Sequence, residues 1–243
     1  MTVVVSPNEA DVQSVLRSFL LSVLPIGVDV IEGQDNRVAE PSAADFVVMT
    51  AIRRRRVETN LDAYVDAVFT GSIAGTVMTI SSVQRGSLKL GSNIFGINVA
   101  TNTVVASFGT GTGGVGTYNV APSQSVASRT LSAGTASLTQ PTEIAFQLDV
   151  HGPNSADNAQ IISTAFRDEY AVEQFAFAGF PVTPLYADDP RQAPFFNAEQ
   201  QYETRWVVEA VLQADQVVSG IPQQFAASTT LVLVNVEAEY PLP

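Results

Sequence analysis

The sequence has no cysteine and a single histidine, His151. Without thiols, neither disulfides nor thiolate chemistry is available, and one histidine cannot build a Cys/His metal cluster or most acid–base triads. The apolar stretch near the N-terminus is interrupted by Arg17, Pro25 and Asp29, which makes it a poor membrane span. Because no basic segment precedes that stretch, we expect no signal peptide. These absences favour a protein of a reducing compartment.

Basic residues are also scarce. Lys and Arg number 12 against 24 Asp and Glu, which gives a net charge of −12. Double-stranded DNA is bound mainly by neutralising its phosphates, so a chain of this charge should repel it. This charge balance argues against a DNA-binding protein but is compatible with a protein surface along which DNA moves without binding. Hydrophobic residues make up 46 %, enough for a folded core.

Acidic residues are absent from the middle of the chain. None occurs between Asp66 and Glu143, and the segment 67–137 carries only Arg85, Lys89 and Arg129, a charge of +3. It also holds 11 of the 16 glycines, which separate short β-branched runs. Such runs between turn residues predict a small all-β module. A composition that changes at two sharp edges predicts an inserted domain at 67–137, within a discontinuous core of 1–66 and 138–243.

The periodicity of the core predicts an α+β fold. A capping box at Ser6–Glu9 opens a helix whose apolar residues recur on one face and which stops before Pro25. A second helix is predicted at Ala156–Phe175, and alternation predicts strands at Asp45–Arg56, Glu143–His151, Tyr202–Gln213 and Thr229–Tyr240. Two helices flanking a mainly antiparallel sheet, with an inserted small all-β domain, would bury these faces.

The glycine stretch Phe108–Val120, FGTGTGGVGTYNV, contains G-x-G-x-x-G twice. A dinucleotide-binding loop needs a helix opening on its last glycine and an acidic residue about 20 positions further on. Here a strand-like run follows, it is broken by Pro122, and no carboxylate appears before Glu143. We therefore favour a glycine-rich hairpin over a nucleotide site.

The remaining candidates for chemistry are also weak. His151 stands in a turn without a nucleophile motif, so a hydrogen-bonded turn residue is the preferred interpretation. The run Tyr186–Arg191 lacks the spacing of a calcium loop and is better explained as a surface turn. Glu203 and Glu209 would lie about 20 Å apart along a strand, too far for a catalytic pair. We predict no catalytic, cofactor-binding or metal site, no cofactor, and no enzymatic activity.

Arg53–Arg56 is the one basic cluster. At strand spacing its side chains divide between two faces. Its possible roles are salt bridges to an acidic neighbouring subunit, contact with DNA, which the acidic core disfavours, and a solvated strand end balanced by nearby carboxylates. The candidate subunit-interface residues are Arg53, Arg54, Arg55, Arg56, Asp188, Asp189, Arg191, Glu203 and Arg205.

Three groups of core segments, in this order, resemble the neck or tail-terminator proteins of tailed bacteriophages. They are IEGQDNRVAEP (31–41) with DFVVMT (45–50), FQLDVHGP (146–153) with TAFRDEY (164–170), and YETRW (202–206). The resemblance covers Val12–Glu58 and Pro141–Glu239, and the segment 67–137 departs from the compact family pattern.

The resemblance implies a structural virion protein without enzymatic activity, assembled in the bacterial cytoplasm and located in the tail or neck. It implies a ring, typically hexameric, that caps the tail tube, contacts sheath and head-side connector proteins, and lets DNA pass without specific binding. Ring subunits of this kind commonly pair sheet edges, for which Tyr202–Gln213 or Thr229–Tyr240 is a candidate. The segment 67–137 is then expected to decorate the outside, against a collar protein or host glycan.

Two other functions stay open. One is a carbohydrate- or surface-adhering phage accessory protein whose active part is the segment 67–137. Its few aromatic residues, Phe69, Phe95, Phe108 and Tyr118, offer little surface for stacking on sugars. The other is a tail sheath or tube subunit, which differs from a terminator in forming open-ended polymers.

Overall fold

The computed structural model of the chain describes residues 3–33, 41–193, 195–196 and 202–222. Helices α1 (Glu9–Val23), α2 (Ser155–Phe166) and α3 (Glu169–Phe177) lie in this part. Its strands are β1 (Val4–Ser6), β2 (Asp29–Glu32), β3 (Phe46–Arg56), β4 (Leu61–Arg85), β5 (Asn93–Phe95), β6 (Val104–Phe108), β7 (Gly116–His151), β8 (Val182–Ala187), β9 (Arg191–Gln192), β10 (Phe195–Phe196), β11 (Tyr202–Glu203) and β12 (Arg205–Pro222).

The chain divides into two compact units. The core unit comprises 3–63 and 137–219, and the described part of the β unit comprises 64–136 and 220–222. Strands β4 and β7 contain residues of both units. That the segment 67–137 is an inserted domain stays a prediction.

Helix α1 begins at a reciprocal capping box. The Asn8 side chain accepts a hydrogen bond from the Asp11 backbone N–H at 3.0 Å, and the Asp11 carboxylate accepts one from the Asn8 N–H at 2.8 Å. The predicted box at Ser6–Glu9 is therefore wrong by two residues, because Asn8 supplies the same acceptor chemistry closer to the first turn. The helix ends before Pro25, as predicted.

The predicted helix Ala156–Phe175 is instead two helices. Asp168 is extended, with φ −97° and ψ 160°, and its carboxylate accepts the Tyr170 N–H at 3.0 Å as the N-cap of α3. This cap starts a second helix after α2 has ended at Phe166. In α3 Tyr170 is 37 % exposed, whereas Ala171 and Phe175 are buried.

The sheet of the core unit has the order β1-β12-β7-β3-β2, and β8 and β9 also pair with β12. The registered pairs of these strands are antiparallel except β2 with β3, which are parallel from Asp29↔Phe46 to Glu32↔Met49. The sheet is thus mixed, and the fold is mostly β with few helices.

The strand predicted at Tyr202–Gln213 is not a free sheet edge. It is divided into β11 and β12, and β12 pairs with β1, β7, β8 and β9. The edge-pairing role predicted for this strand is therefore wrong for the residues in β12. The other candidate, Thr229–Tyr240, lies outside the described residues.

The predicted strands Asp45–Arg56 and Glu143–His151 are confirmed as β3 and the end of β7. Their inward residues pack against the helices, where Phe19, Phe166 and Phe175 form an aromatic cluster with ring centroids 5.5 to 5.8 Å apart. Each such pair adds about 0.5–1.5 kcal/mol beyond area burial. The helices therefore cover one side of this sheet, and alternate residues of β7 and β12 point to the other side.

The described residues of the β unit contain strands and turns and no helix. In this unit β4, β5 and β6 pair with β7. The unit has its own hydrophobic cluster, which includes Phe69, Ile73, Met78, Ile80, Tyr118 and Leu131. The all-β character predicted for this segment is therefore confirmed for the described residues.

Candidate functional site

The glycine-rich stretch is the loop of a β-hairpin. Strand β6 pairs antiparallel with β7 up to Phe108↔Tyr118. The Tyr118 hydroxyl donates to the Gly114 carbonyl at 2.6 Å and accepts the Gly113 N–H at 2.8 Å. A Cβ at Gly111 would clash with the Tyr118 ring. The glycines thus allow the loop to fold around one buried tyrosine, and the prediction of a glycine-rich hairpin is confirmed.

A second feature is the polar face of the core sheet, which we define as the side chains of β3, β7 and β12 that point away from the helices. The helix-facing residues of β7 and β12 have even numbers, from Ile144 to Val150 and from Val208 to Ala214. Since side chains alternate along a strand, the odd-numbered residues form the polar face. Its charged and polar members on these two strands are Glu143, Gln147, Asp149, His151, Arg205, Glu209, Gln213 and Asp215.

A β-bulge decides which arginines join this face. In β3, Val47 and Met49 face the helices, but the register with β7 shifts between Ala51 and Arg53. Beyond the shift Arg53 is paired with Ala145 and Arg55 with Glu143. A bulge adds one residue to a strand and reverses the alternation after it. It therefore moves Arg53 and Arg55 onto the polar face.

The other two arginines lie elsewhere. Arg54 is 3.4 Å from the Glu9 carboxylate and donates to Gln216 Oε1 at 3.2 Å. Gln216 in turn donates to the Pro7 carbonyl at 2.8 Å, which ties the start of α1 to β12. Arg56 donates to Asn60 at 2.7 Å. The predicted division of the cluster between two faces is confirmed.

Glu143 is the centre of the charge cluster on the polar face. Its carboxylate lies 2.7 Å from Arg55 Nη2 and 3.4 Å from Arg53 Nη2, and Arg53 also lies 3.6 Å from Glu209. The Glu143 side chain is only 9 % exposed, whereas those of Arg53 and Arg55 are 51 % and 67 % exposed. A buried carboxylate needs partners of opposite charge, and the two guanidinium groups supply them. Both arginines also keep an exposed part.

His151 is held in place at the end of β7. Its ring stacks on Phe46 with centroids 4.6 Å apart and an interplanar angle of 4°. Nδ1 lies 3.0 Å from Glu203 Oε1. The histidine is hydrogen-bonded, as predicted. On the same face Arg205 Nε is 3.2 Å from the Asp149 carboxylate, an ion-pair distance without the alignment of a hydrogen bond.

The turn at 188–191 is tied to neighbouring elements. Asp189 is 3.0 Å from Arg167, which also donates to the Ala187 carbonyl. The Asp188 backbone N–H donates to the Glu209 carbonyl at 2.8 Å. Arg191 pairs with Val207, which belongs to the polar face, so Arg191 shares that face. In the described part of the chain no group of three or more His, Asp or Glu residues could hold a metal ion.

The structure thus brings Arg53, Arg55, Arg191 and Arg205 to one face, and it separates them from Arg54 and Arg56. Sequence reasoning missed Glu143 as the shared partner of Arg53 and Arg55. Because Glu143 has an odd number in β7, the alternation of side chains places it on the polar face. Its pairing with Arg55 could not be predicted in this way, because it depends on the strand register beyond the bulge. That these residues contact a neighbouring subunit stays a prediction.

The polar side chains described above hold strands and turns together. A family model described as phage neck terminator protein matches residues 97–237, more than half of the chain. The chain therefore belongs to the phage neck terminator protein family and is a structural protein of the phage neck. A comparison with the curated proteins gives no match.

Family membership implies a location in the tail or neck of the virion and contacts with other head or tail proteins. In the described residues no helix is long and apolar enough to cross a membrane.

The matched range starts inside the segment 67–137. The prediction that this whole segment departs from the family pattern is therefore wrong for 97–137. The segments Val12–Glu58 and 67–96 lie outside the matched range.

Proposed function

We propose that this chain is the ring-forming terminator of a phage tail. In this function several copies, six by the resemblance, close into a ring that caps the tail tube and joins it to the head-side connector and the sheath. The observation that carries the proposal is the family match over 97–237. The ring requires no catalysis and no cofactor, and the protein assembles in the host cytoplasm before it enters the virion.

The charge of the chain supports a channel for DNA. A net charge of −12 repels phosphates, so DNA passes without specific binding. Three arginines of the core unit are paired with carboxylates of the same chain. Arg53 and Arg55 lie against Glu143, and Arg54 lies against Glu9.

We further infer that the polar face lies at a subunit contact. Arg55 uses one guanidinium nitrogen for Glu143 and keeps 67 % of its side chain exposed, so it retains donors for an acidic neighbour. Asp189, 90 % exposed, is an acceptor of the kind such an arginine needs. On this face the contact residues proposed are Arg53, Arg55, Arg191 and Arg205. The other predicted interface residues, Arg54, Arg56, Asp188, Asp189 and Glu203, lie outside this face and are proposed as further contacts.

The test is a phage with a stop codon in the gene for this chain, grown with and without a plasmid copy. Without the chain we expect filled heads and separate tails of uneven length, because nothing closes the tube or receives the connector. The plasmid copy should restore joined virions. Joined, infectious particles of normal tail length in its absence would contradict the proposal.

A further inference from the structure

Helix α3 carries an apolar and acidic stripe that the fold itself does not use. Ala171 and Phe175 of α3 are buried in the core. On the exposed side, Glu169, Val172, Glu173 and Phe177 recur at three- and four-residue spacing and therefore form one face. Phe177 is 82 % exposed and Val172 is 49 % exposed. We call these four residues the α3 stripe.

The two carboxylates of the stripe are not neutralised. Glu169 and Glu173 are four residues apart, a spacing at which like charges on a helix repel each other. The ion pairs of the described residues include neither of them. No basic residue stands in the last turn of α3. The stripe therefore combines exposed aromatic surface with unpaired negative charge.

An apolar groove lies beside the start of α3. It has a volume of about 440 Å³ and lies between α2 and α3, where Ile161, Ala165 and Tyr170 give it an apolar lining. Ile161 and Tyr170 are each 37 % exposed. Asp168 adds a carboxylate to its wall. A partner that fits this surface carries aliphatic side chains together with cations.

The β unit has two places where an exposed aliphatic side chain stands next to a basic residue. Leu90 and Ile97 are each 61 % exposed, so most of their apolar surface is not buried in the core of the β unit. Lys89 precedes Leu90, and Arg129 donates from Nη1 to the Ile97 carbonyl at 3.2 Å. The segment 67–137 contains no carboxylate, so neither cation is neutralised within it. Each exposed aliphatic side chain therefore has an available positive charge beside it.

We propose that the β unit of one copy docks on the α3 stripe of the next copy. Leu90 and Ile97 cover Phe177 and the groove, and Lys89 and Arg129 lie against Glu169 and Glu173. The occupant is a second copy because the charge and apolar character of the two surfaces are complementary within this one sequence. The inference rests on the proposed ring and gives it a specific contact.

Such a contact joins two different surfaces of the chain. A head-to-tail contact of this kind closes into a ring when its rotation is a simple fraction of a full turn, and it forms an open polymer otherwise. The β unit then links neighbouring subunits, instead of only decorating the outside of the ring as the sequence led us to expect.

Charge exchange tests the proposal on the full chain. Variant A carries Glu169→Lys and Glu173→Lys, and variant B carries Lys89→Glu and Arg129→Glu. Each puts like charges on both sides of the contact, so we expect the concentration at which rings dissociate to rise at least about tenfold, or 1.4 kcal/mol per contact. Sedimentation velocity at low salt measures it.

Mixing A with B is the decisive step. The positive β unit of A then meets the negative stripe of B, and the negative β unit of B meets the positive stripe of A. We expect mixed rings to form at concentrations where neither variant assembles alone. A folding defect would not be repaired by mixing.

The matched control carries Glu32→Lys and Glu58→Lys, which change the net charge as variant A does at two exposed positions away from α3. It should assemble like the wild type. Wild-type behaviour of A and B, failure of the mixture to assemble, or an equal loss in the control would overturn the docking proposal, even if wild-type rings form. Absence of rings from the wild type itself would instead contradict the proposed function.

Discussion

Replacing Tyr118 with Phe tests the account of the glycine-rich loop. The tyrosine is fully buried, and its ring packs edge-on against Phe108 with centroids 5.5 Å apart. Phenylalanine keeps this ring and its packing. The substitution removes only the hydroxyl, and with it both hydrogen bonds, to the Gly113 N–H and the Gly114 carbonyl.

The cost follows from what remains unpaired. Gly113 is buried, so its N–H loses its partner without access to water, at about 1–3 kcal/mol. The Gly114 carbonyl is half-buried and loses less. We therefore expect the Tyr118→Phe variant to lose about 2–3 kcal/mol, a large part of the 5–15 kcal/mol typical of a domain.

Hydrogen exchange by mass spectrometry resolves this loss in peptides that cover 104–120. Protection there should fall by roughly 30- to 150-fold, since each 1.4 kcal/mol is tenfold in an equilibrium constant. Tyr186→Phe, at a side chain that is 44 % exposed, is the matched control and should change stability by less than about 0.5 kcal/mol. Unchanged protection in Tyr118→Phe would refute the role assigned to the hydroxyl.

Three further substitutions test other parts of the fold. Glu143→Gln should lower the free energy of unfolding by about 1–2 kcal/mol, because two half-exposed arginines lose their shared carboxylate. Urea unfolding followed by tryptophan fluorescence measures this loss, and an unchanged free energy would contradict the charge cluster. Asn8→Ala should cost about 1 kcal/mol in unfolding followed by circular dichroism, with Asn8→Asp neutral; equal losses would argue against the cap. Gly111→Ala should destabilise the β unit by about 1–3 kcal/mol, measured by hydrogen exchange, because the added Cβ has no room beside the Tyr118 ring. Gly114→Ala is the control and should be tolerated, because no atom lies within 4 Å of its added Cβ.

The elements with strong periodicity could be predicted from the sequence. Helix α1 and the strands around Met49 and Leu148 have long, regular faces, and each is buried as its pattern indicates. The break between α2 and α3 could not be predicted in the same way. The apolar pattern continues across Asp168, but the local hydrogen bond of its carboxylate ends the helix there.

The charge cluster shows where sequence reasoning stops. Four consecutive arginines carry no signal of the bulge that assigns Arg53 and Arg55 to one face. Their partners Glu143 and Glu209 lie 88 or more positions away and are brought near by strand register, which is a property of the whole sheet. The parallel pairing of β2 with β3 was likewise not predicted.

Negative-stain imaging of the purified full-length protein is the most direct test of the central claim. The proposed terminator predicts closed rings with one subunit number and a central channel, without any added partner. Monomers only, or tubes that lengthen with protein concentration, would contradict it.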